Sequence, residues 1–335
     1  MHLLIPYASS QSAGCQQALA TLKLPNLGKL LRQLTLASAD NPDENTLIPP
    51  HERALGAAFG IHTPGVTPDG QLPWGAWHAA QAGLVVDTVA TGESWAVITP
   101  CHWAVQTNHI TMIPPLALSL LEDESRALLA AMQPYFAEDG IVLLYDTPTR
   151  WLARGAVFAG LATASPYRAV GARVDDWIPK GDATKNLRRL QQEMQMLLYT
   201  HALTDARTDQ GLLAVNSFWV SGTGALPAKQ PVQHPAQAAT WRTPPSPIIA
   251  PPALRDAAVR DDWSAWAQAW HQLDATECAT LLNALSGREP VTLTLCGERS
   301  SQTYEARPRN ALGRLWHGFT SQIGHQPPNN VLEKL

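Results

Sequence analysis

The sequence predicts an α/β fold with a mostly parallel sheet covered by helices, and three observations carry that prediction. Short apolar runs recur at residues 3–7, 95–99, 141–145, 212–220 and 291–295, with helix-length segments between them. Alternation of that kind lays strands side by side and puts their crossovers on the sheet faces. Residues 186–201 carry Leu187, Leu190, Met194, Leu197 and Leu198 on one helical face, with Arg188, Arg189, Gln192 and Glu193 elsewhere. Of 335 residues, 45% are hydrophobic and 16% charged, which is ample for a large core and too little charge for a disordered chain.

Each element follows from local chemistry. The first run, Leu3 to Tyr7, ends in the Ser-rich turn of Ala8 to Ser12. Residues 18–36 carry leucines at helical spacing, and Pro25 is expected to break or restart that helix. Residues 40–50 and 62–74 are loop-like in composition. Trp95 to Thr99 reads as a strand and Val105 to Met112 as its hairpin partner or continuation. A helix over 120–132 leads through the Asp139-Gly140 turn into the strand Ile141 to Tyr145. Leu212 to Val220 is strand-like, and Ser221-Gly222-Thr223-Gly224 ends it as a turn. The proline-rich stretch 227–252 separates a first domain, residues 1–226, from a C-terminal segment, 253–335, packed on the same domain. That segment is expected to hold an aromatic helix over 253–273, a second helix over 276–285, a strand over 291–295 and a loose tail of about a dozen residues.

Composition narrows the function classes. A formal net charge of -4 offers no basic field to nucleic acid and no polybasic patch to a membrane. The opening MHLLIPYASS has too short an apolar run, and no positive start, for a secretory signal. No stretch approaches the roughly 18 apolar residues of a membrane span. Cys15, Cys101, Cys278 and Cys296 lie far apart and form no CxxC pair, so neither a disulfide framework nor a zinc knuckle is indicated. A cytoplasmic protein is the expectation.

The stretch HALTDARTDQGLLAVNSFWVSGTGALP, residues 201–227, resembles a segment of the archaeal-type, cofactor-independent phosphoglycerate mutases. In that family a His-Pro-x-Asn-x-x-Arg run is followed by a Gly, an Ala-Asn pair, and an apolar strand ending in Gly-x-Gly and a Pro. His201, Arg207, Gly211, Asn216, Gly222, Gly224 and Pro227 stand at matching intervals, while Ala202 and Thr204 replace the family's Pro and Asn. A closer resemblance covers nearly the whole chain. The runs TPCHW, RWLARG, RRLQQEMQMLLYTH and VNSFWVSGTGALP look like an uncharacterised proteobacterial family. Its members are labelled phosphoglycerate mutase, or regulatory protein encoded beside quorum-sensing genes.

The resemblance implies an alkaline-phosphatase-like scaffold, in which two divalent metals on Asp and His ligands hold a phosphoryl group while a Ser or Thr attacks it. The first ligand normally sits in an Asp-Gly turn after the first strand; here that strand runs into Ala8-Ser9-Ser10, with no acid before Asp40. The strand over 291–295 leads into Cys296-Gly297-Glu298-Arg299, and His271, His317 and His325 are scattered. The expectation is an alkaline-phosphatase-like remnant without metal or cofactor, with metal-dependent mutase turnover absent and no catalytic residue assigned. Its function would be regulatory or degenerate, binding a phosphorylated metabolite or nucleotide. The alternatives are an enzyme acting on a phosphorylated small molecule by a metal-independent route, and a protein–protein module.

His201, Arg207, Asn216, Ser221, Gly222, Thr223 and Gly224 form the expected anion site. Arg207 would supply a fixed cation and the glycines a close backbone approach. The competing reading has Arg207 paired with Asp205 or Asp209, Asn216 capping a turn, and the glycines making an ordinary turn. Cys101-His102 is a poor nucleophile–base pair, because neighbours on a strand point to opposite faces. Trp263, Trp266 and Trp270 share one helix face, as a core stripe or as a surface for a protein partner.

Overall fold

The apolar start of the chain folds as strand β1 (His2–Ile5), with Leu3, Leu4 and Ile5 fully buried. The structure, a computed structural model, describes residues 1–84, 93–181, 184–226, 247–306 and 327–335. It divides into two units: Met1–Asn45, Pro49–Ala58 and Arg242–Leu335 in one, Thr46–Ile48 and Phe59–Trp241 in the other. The chain's beginning and end thus share a unit, where the sequence reading separates 1–226 from 253–335. Most of the proline-rich stretch, residues 227–246, lies outside the described residues.

The first unit opens with β1, α1 (Ala13–Thr21), α2 (Pro25–Gln33), β2 (Leu34–Asp40) and α3 (Pro50–Ala58). Pro25 restarts the helix as expected, at the first helical position where its missing N–H costs nothing. The helical reading of 34–36 is corrected, because these residues open β2 and pair with β11. The second unit runs through α4 (Trp74–Gln81), β3 (Trp95–Cys101), a hairpin of β4 (Trp103–Val105) and β5 (Ile110–Met112), α5 (Glu122–Glu138), β6 (Val142–Thr147) and β7 (Arg150–Arg154). After two single-turn helices, α6 (Pro166–Ala169) and α7 (Val174–Trp177), come α8 (Lys185–Tyr199), α9 (Ala202–Asp209) and β8 (Ser217–Gly224). The chain then returns to the first unit with β9 (Ile248–Ile249), α10 (Ala253–Ala258), α11 (Trp263–Leu273), α12 (Ala279–Ser286), β10 (Thr292–Cys296), β11 (Ser301–Ala306) and α13 (Pro328–Leu332).

The sheet of the first unit has the order β2-β11-β10-β1-β9. Strand β1 runs parallel to β9 and β10, while β10–β11 and β11–β2 are antiparallel. The parallel sheet expected from the sequence is therefore confined to three strands. The second unit has its own sheet, β6-β7-β3-β8, antiparallel throughout. Residues 141–145 and the strand before Ser221 belong there, not beside β1. The expected pairing of 95–99 with 105–112 also fails, since β3 pairs with β7 and β8 while β4 and β5 pair with each other.

Long-range contacts that no local pattern reveals hold the first unit. Leu24, the N-cap of α2, has no capping side chain of its own. Asp274, 3% exposed, takes its place and accepts from Asn26 N at 3.1 Å and Leu27 N at 2.7 Å. The aromatic helix expected over 253–273 is two helices, α10 and α11. The C-terminal tail is docked, not loose: Leu332 and Leu335 are buried, and Ser300 donates to the Leu335 carbonyl at 2.9 Å.

In the second unit, α4 lies backbone-first on the sheet. A Cβ on Gly75 would meet the Ala96 main chain at 2.5 to 2.7 Å, and one on Gly222 would meet Trp74 Cβ at 2.8 Å. Gly222, at φ 62°, sits where β8 bulges against β3 between Trp95 and Val97. Because the Ala96 backbone cannot yield, Gly75→Ala is expected to destabilise the protein by about 3 kcal/mol. Urea unfolding followed by tryptophan fluorescence measures this.

Candidate functional site

The residues expected to form an anion site are spread along α9 and β8, and His201, Arg207, Asn216 and Thr223 each have a partner in the fold. His201 is the N-cap of α9, its Nδ1 accepting from Leu203 N at 3.2 Å. Asn216 clasps the main chain of Trp103, accepting from its N–H at 2.7 Å and donating to its carbonyl at 3.0 Å. Ser221, Gly222, Thr223 and Gly224 are the end of β8 itself, which corrects the expectation of a turn after the strand. Thr223 is fully buried and donates to the Leu161 carbonyl at 2.6 Å. At about 3.3 Å per strand residue, the stretch from Asn216 to Thr223 spans up to ~23 Å, well beyond the width of one small anion.

Arg207 is 1% exposed. Its Nε donates to the Leu213 carbonyl at 2.9 Å, its Nη1 to Glu124 Oε2 at 2.5 Å and its Nη2 to the Leu118 carbonyl. Glu124 also accepts from Leu121 N at 2.9 Å, closing the first turn of α5. Arg207 therefore ties α9 to the start of α5, with Glu124 as its partner in place of Asp205 or Asp209. Arg188 and Arg189 are exposed on α8, and Arg189 pairs with Asp139 and Glu193. A shallow groove beside α8 is lined by Leu187, Arg188, Gln191, Phe218 and Trp219, and by none of the seven expected site residues.

The remaining candidates also turn inward. All four cysteines are free and buried. Burial pushes the Cys15 thiol up to about 11 and raises those of Cys101, Cys278 and Cys296 further, so none is a ready thiolate. His102 reaches the Ala214 carbonyl at 2.7 Å, away from Cys101. Trp266 and Trp270 are fully buried, which removes both rings from the partner surface considered for that helix; Trp263 is partly buried. Among the described residues, no group of three or more His, Cys, Asp or Glu side chains is placed to hold a metal ion. His317 and His325 lie outside the described residues.

A different constellation gathers in the first unit, at the carboxyl ends of the parallel strands β1 and β10. In open α/β sheets that edge is where ligands bind. Tyr7 follows β1 at φ 51°, a left-handed conformation rare for a bulky residue. Its carbonyl accepts from Trp266 Nε1 at 2.9 Å, the Ala8 carbonyl accepts from Trp270 Nε1 at 3.2 Å, and Ala8 N donates to the Cys296 carbonyl at 2.7 Å. The pinned chain then delivers Ser9, Ser10 and Gln11 to the N-terminus of α1. Ser10 Oγ donates to Glu298 Oε2 at 2.8 Å, and Gln11 N donates to the same oxygen at 3.3 Å. Ser12 caps α1 by accepting from Cys15 N. Ser9 is fully buried, and its hydroxyl has no hydrogen-bond partner among the described residues. The sequence shows only a Ser-rich turn here. The partner Glu298 lies 288 residues from Ser10, so no local spacing could have joined them.

No family model matches the chain, and no curated protein does. Solved structures do. One is a protein from Pyrococcus horikoshii, 12% identical, at a TM-score of 0.49 over 91% of this chain and 86% of that one. Another is the cofactor-independent phosphoglycerate mutase from Thermoplasma acidophilum, 14% identical, at 0.36 over 100% of this chain and 98% of that one. Both scores lie below 0.5, and the fold stands on its own sheet topology. No helix among the described residues is long and apolar enough to cross a membrane.

Two measurements check these roles. Arg207→Ala strands the Glu124 carboxylate, which is 15% exposed, so a loss of about 3–5 kcal/mol in unfolding free energy is expected. Burial also lowers the pKa of His2 and of His78 to about 4. The Met1 ammonium adds to the shift at His2; at His78 the Arg150 charge adds to it and Asp146 opposes it. Both imidazoles are neutral in the fold and ordinary in the unfolded chain. Their contribution to stability is therefore complete above pH 6.5 and is lost as pH falls towards 4. The urea midpoint should drop across that window, and less steeply in His78→Gln.

Proposed function

We propose that this protein is a non-catalytic, regulatory binding protein for a phosphorylated small molecule, and that the phosphate sits at the corner between β1 and α1. One observation carries the reading: Ser10 Oγ and Gln11 N–H already converge on a single carboxylate oxygen at a helix N-terminus. Two converging donors at the positive end of a helix dipole suit an anion. The partnerless hydroxyl of Ser9, the preceding residue in the chain, is in keeping with this reading, since a buried polar group left unpaired costs about 1–3 kcal/mol. The one thiol at this corner, Cys15, accepts from Ser10 N at 3.3 Å and is pushed up to about 11 by burial, so it offers no ready nucleophile there.

A thermal-shift series with inorganic phosphate, phosphorylated three-carbon acids and nucleotides tests the reading. At a hundred times its Kd, a true ligand adds about 2.7 kcal/mol to the stability of the wild type. Ser10→Ala should weaken that ligand at least tenfold. Ser9→Ala should raise the stability of the unliganded protein by about 1 kcal/mol, because it removes an unpaired hydroxyl. The proposal fails if no compound stabilises the wild type, or if one stabilises wild type and Ser10→Ala equally.

A further inference from the structure

We infer that Glu298 is a built-in competitor for the anion site: its carboxylate holds the position a phosphate takes, and a ligand enters by displacing it. The inference rests on the proposed anion corner and adds how that corner is regulated and what it selects. Among the described residues, the carboxylate is held by the two donors that face it, Ser10 Oγ at 2.8 Å and Gln11 N at 3.3 Å. No cation reinforces that hold, since Glu298 takes part in no ion pair among the described residues.

The placement of Glu298 lets it leave without disturbing the fold. It lies at the tip of the tight connection between β10 and β11, which Gly297 N closes by donating to the Ser300 carbonyl at 2.9 Å. The base of this connection is fixed. A Cβ on Gly297 would come 2.5 Å from the Leu335 carbonyl oxygen, and Ser300 Oγ donates to the same main chain at 2.9 Å. Glu298 itself is half-buried and its neighbour Arg299 exposed, so rotation about the Glu298 side chain moves the carboxylate into water while the backbone stays. The receiving side is equally set: Gln16 Nε2 donates to the Ser10 carbonyl at 2.6 Å, and Ser12 N donates to Ser10 Oγ at 3.2 Å, so the donors keep their positions once Glu298 departs.

A carboxylate carries one negative charge, whereas a phosphate monoester carries close to two at neutral pH and offers three acceptor oxygens. Exchange therefore favours a phosphate group over a carboxylic acid. It also makes apparent affinity lower than the corner's own, by the fraction of molecules in which Glu298 has moved out. The ligand class that opens the site is a phosphate monoester dianion.

Isothermal titration of the full-length protein with inorganic phosphate distinguishes the possibilities. Glu298→Ala is expected to bind phosphate at least tenfold more tightly than the wild type. Glu298→Gln keeps nearly the same shape and so preserves the turn, and it should also bind more tightly because the repelling charge is gone. Ser10→Ala should bind at least tenfold more weakly. If Ser10→Ala weakens binding while both Glu298 variants bind no better than the wild type, the competitor role is overturned and the anion corner stands. If phosphate binds neither the wild type nor the Glu298 variants, or binds Ser10→Ala as well as the wild type, the corner and the competitor fall together.

Discussion

The backbone at Tyr7 and Ala8 is the constraint on which the first unit depends. Two buried indoles from α11 donate to consecutive carbonyls there, and the end of β10 accepts the Ala8 N–H. A left-handed tyrosine persists only where its surroundings over-determine it. Here three hydrogen bonds from distant parts of the chain do so. The consequences spread outward: β1 is locked to β10, α11 is locked over the strand end, and the following serines are turned towards the start of α1. The tryptophan face thus works as a core stripe with polar edges, as expected of indoles that bury their rings and still need an acceptor.

The second unit depends on a close approach of a different kind. Helix α4 reaches the sheet through glycine, so its backbone and that of β3 are in direct contact at Gly75 and Ala96. The bulge at Gly222 lets β8 accept the same helix. The glycines that resemble a phosphate-binding segment therefore have a packing role, and Thr223 between them is satisfied by the Leu161 carbonyl. Arg207 follows the same logic. A cation that is 1% exposed and bonded to two carbonyls and a carboxylate is a tie between helices. Thr223 and Arg207 thus spend their polar groups on contacts within the fold.

Self-saturation also connects the two ends of the chain. Asp274 caps α2, Glu298 meets Ser10, and Leu335 receives Ser300. Each is a polar group that would be costly if left alone in a partly buried place, and each finds a partner hundreds of residues away or at the chain's end. The Ser9 hydroxyl has no such partner among the described residues, a condition it shares with the Ser217 hydroxyl and the indole N–H groups of Trp74, Trp77 and Trp95 in the second unit.

Much of the local structure was determined by sequence. Leucines at helical spacing set α8, Pro25 set the restart of a helix, and the apolar run after the first methionine set β1, because side-chain periodicity and a missing N–H act within a few residues. Sequence also determined that Cys101 and His102 do not work as a pair, since adjacent strand residues face apart. Tertiary structure alone decided which strands share a sheet. An apolar run such as Ile141 to Tyr145 reads the same in a parallel or an antiparallel neighbourhood, and only its pairing with β7 settles the matter. It alone decided that Arg207 faces Glu124 rather than Asp205 or Asp209, and that Ser10 faces Glu298. Those partners are 83 and 288 residues apart, and a hydrogen bond depends on distance in space, which spacing along the chain does not encode once the chain has turned back on itself.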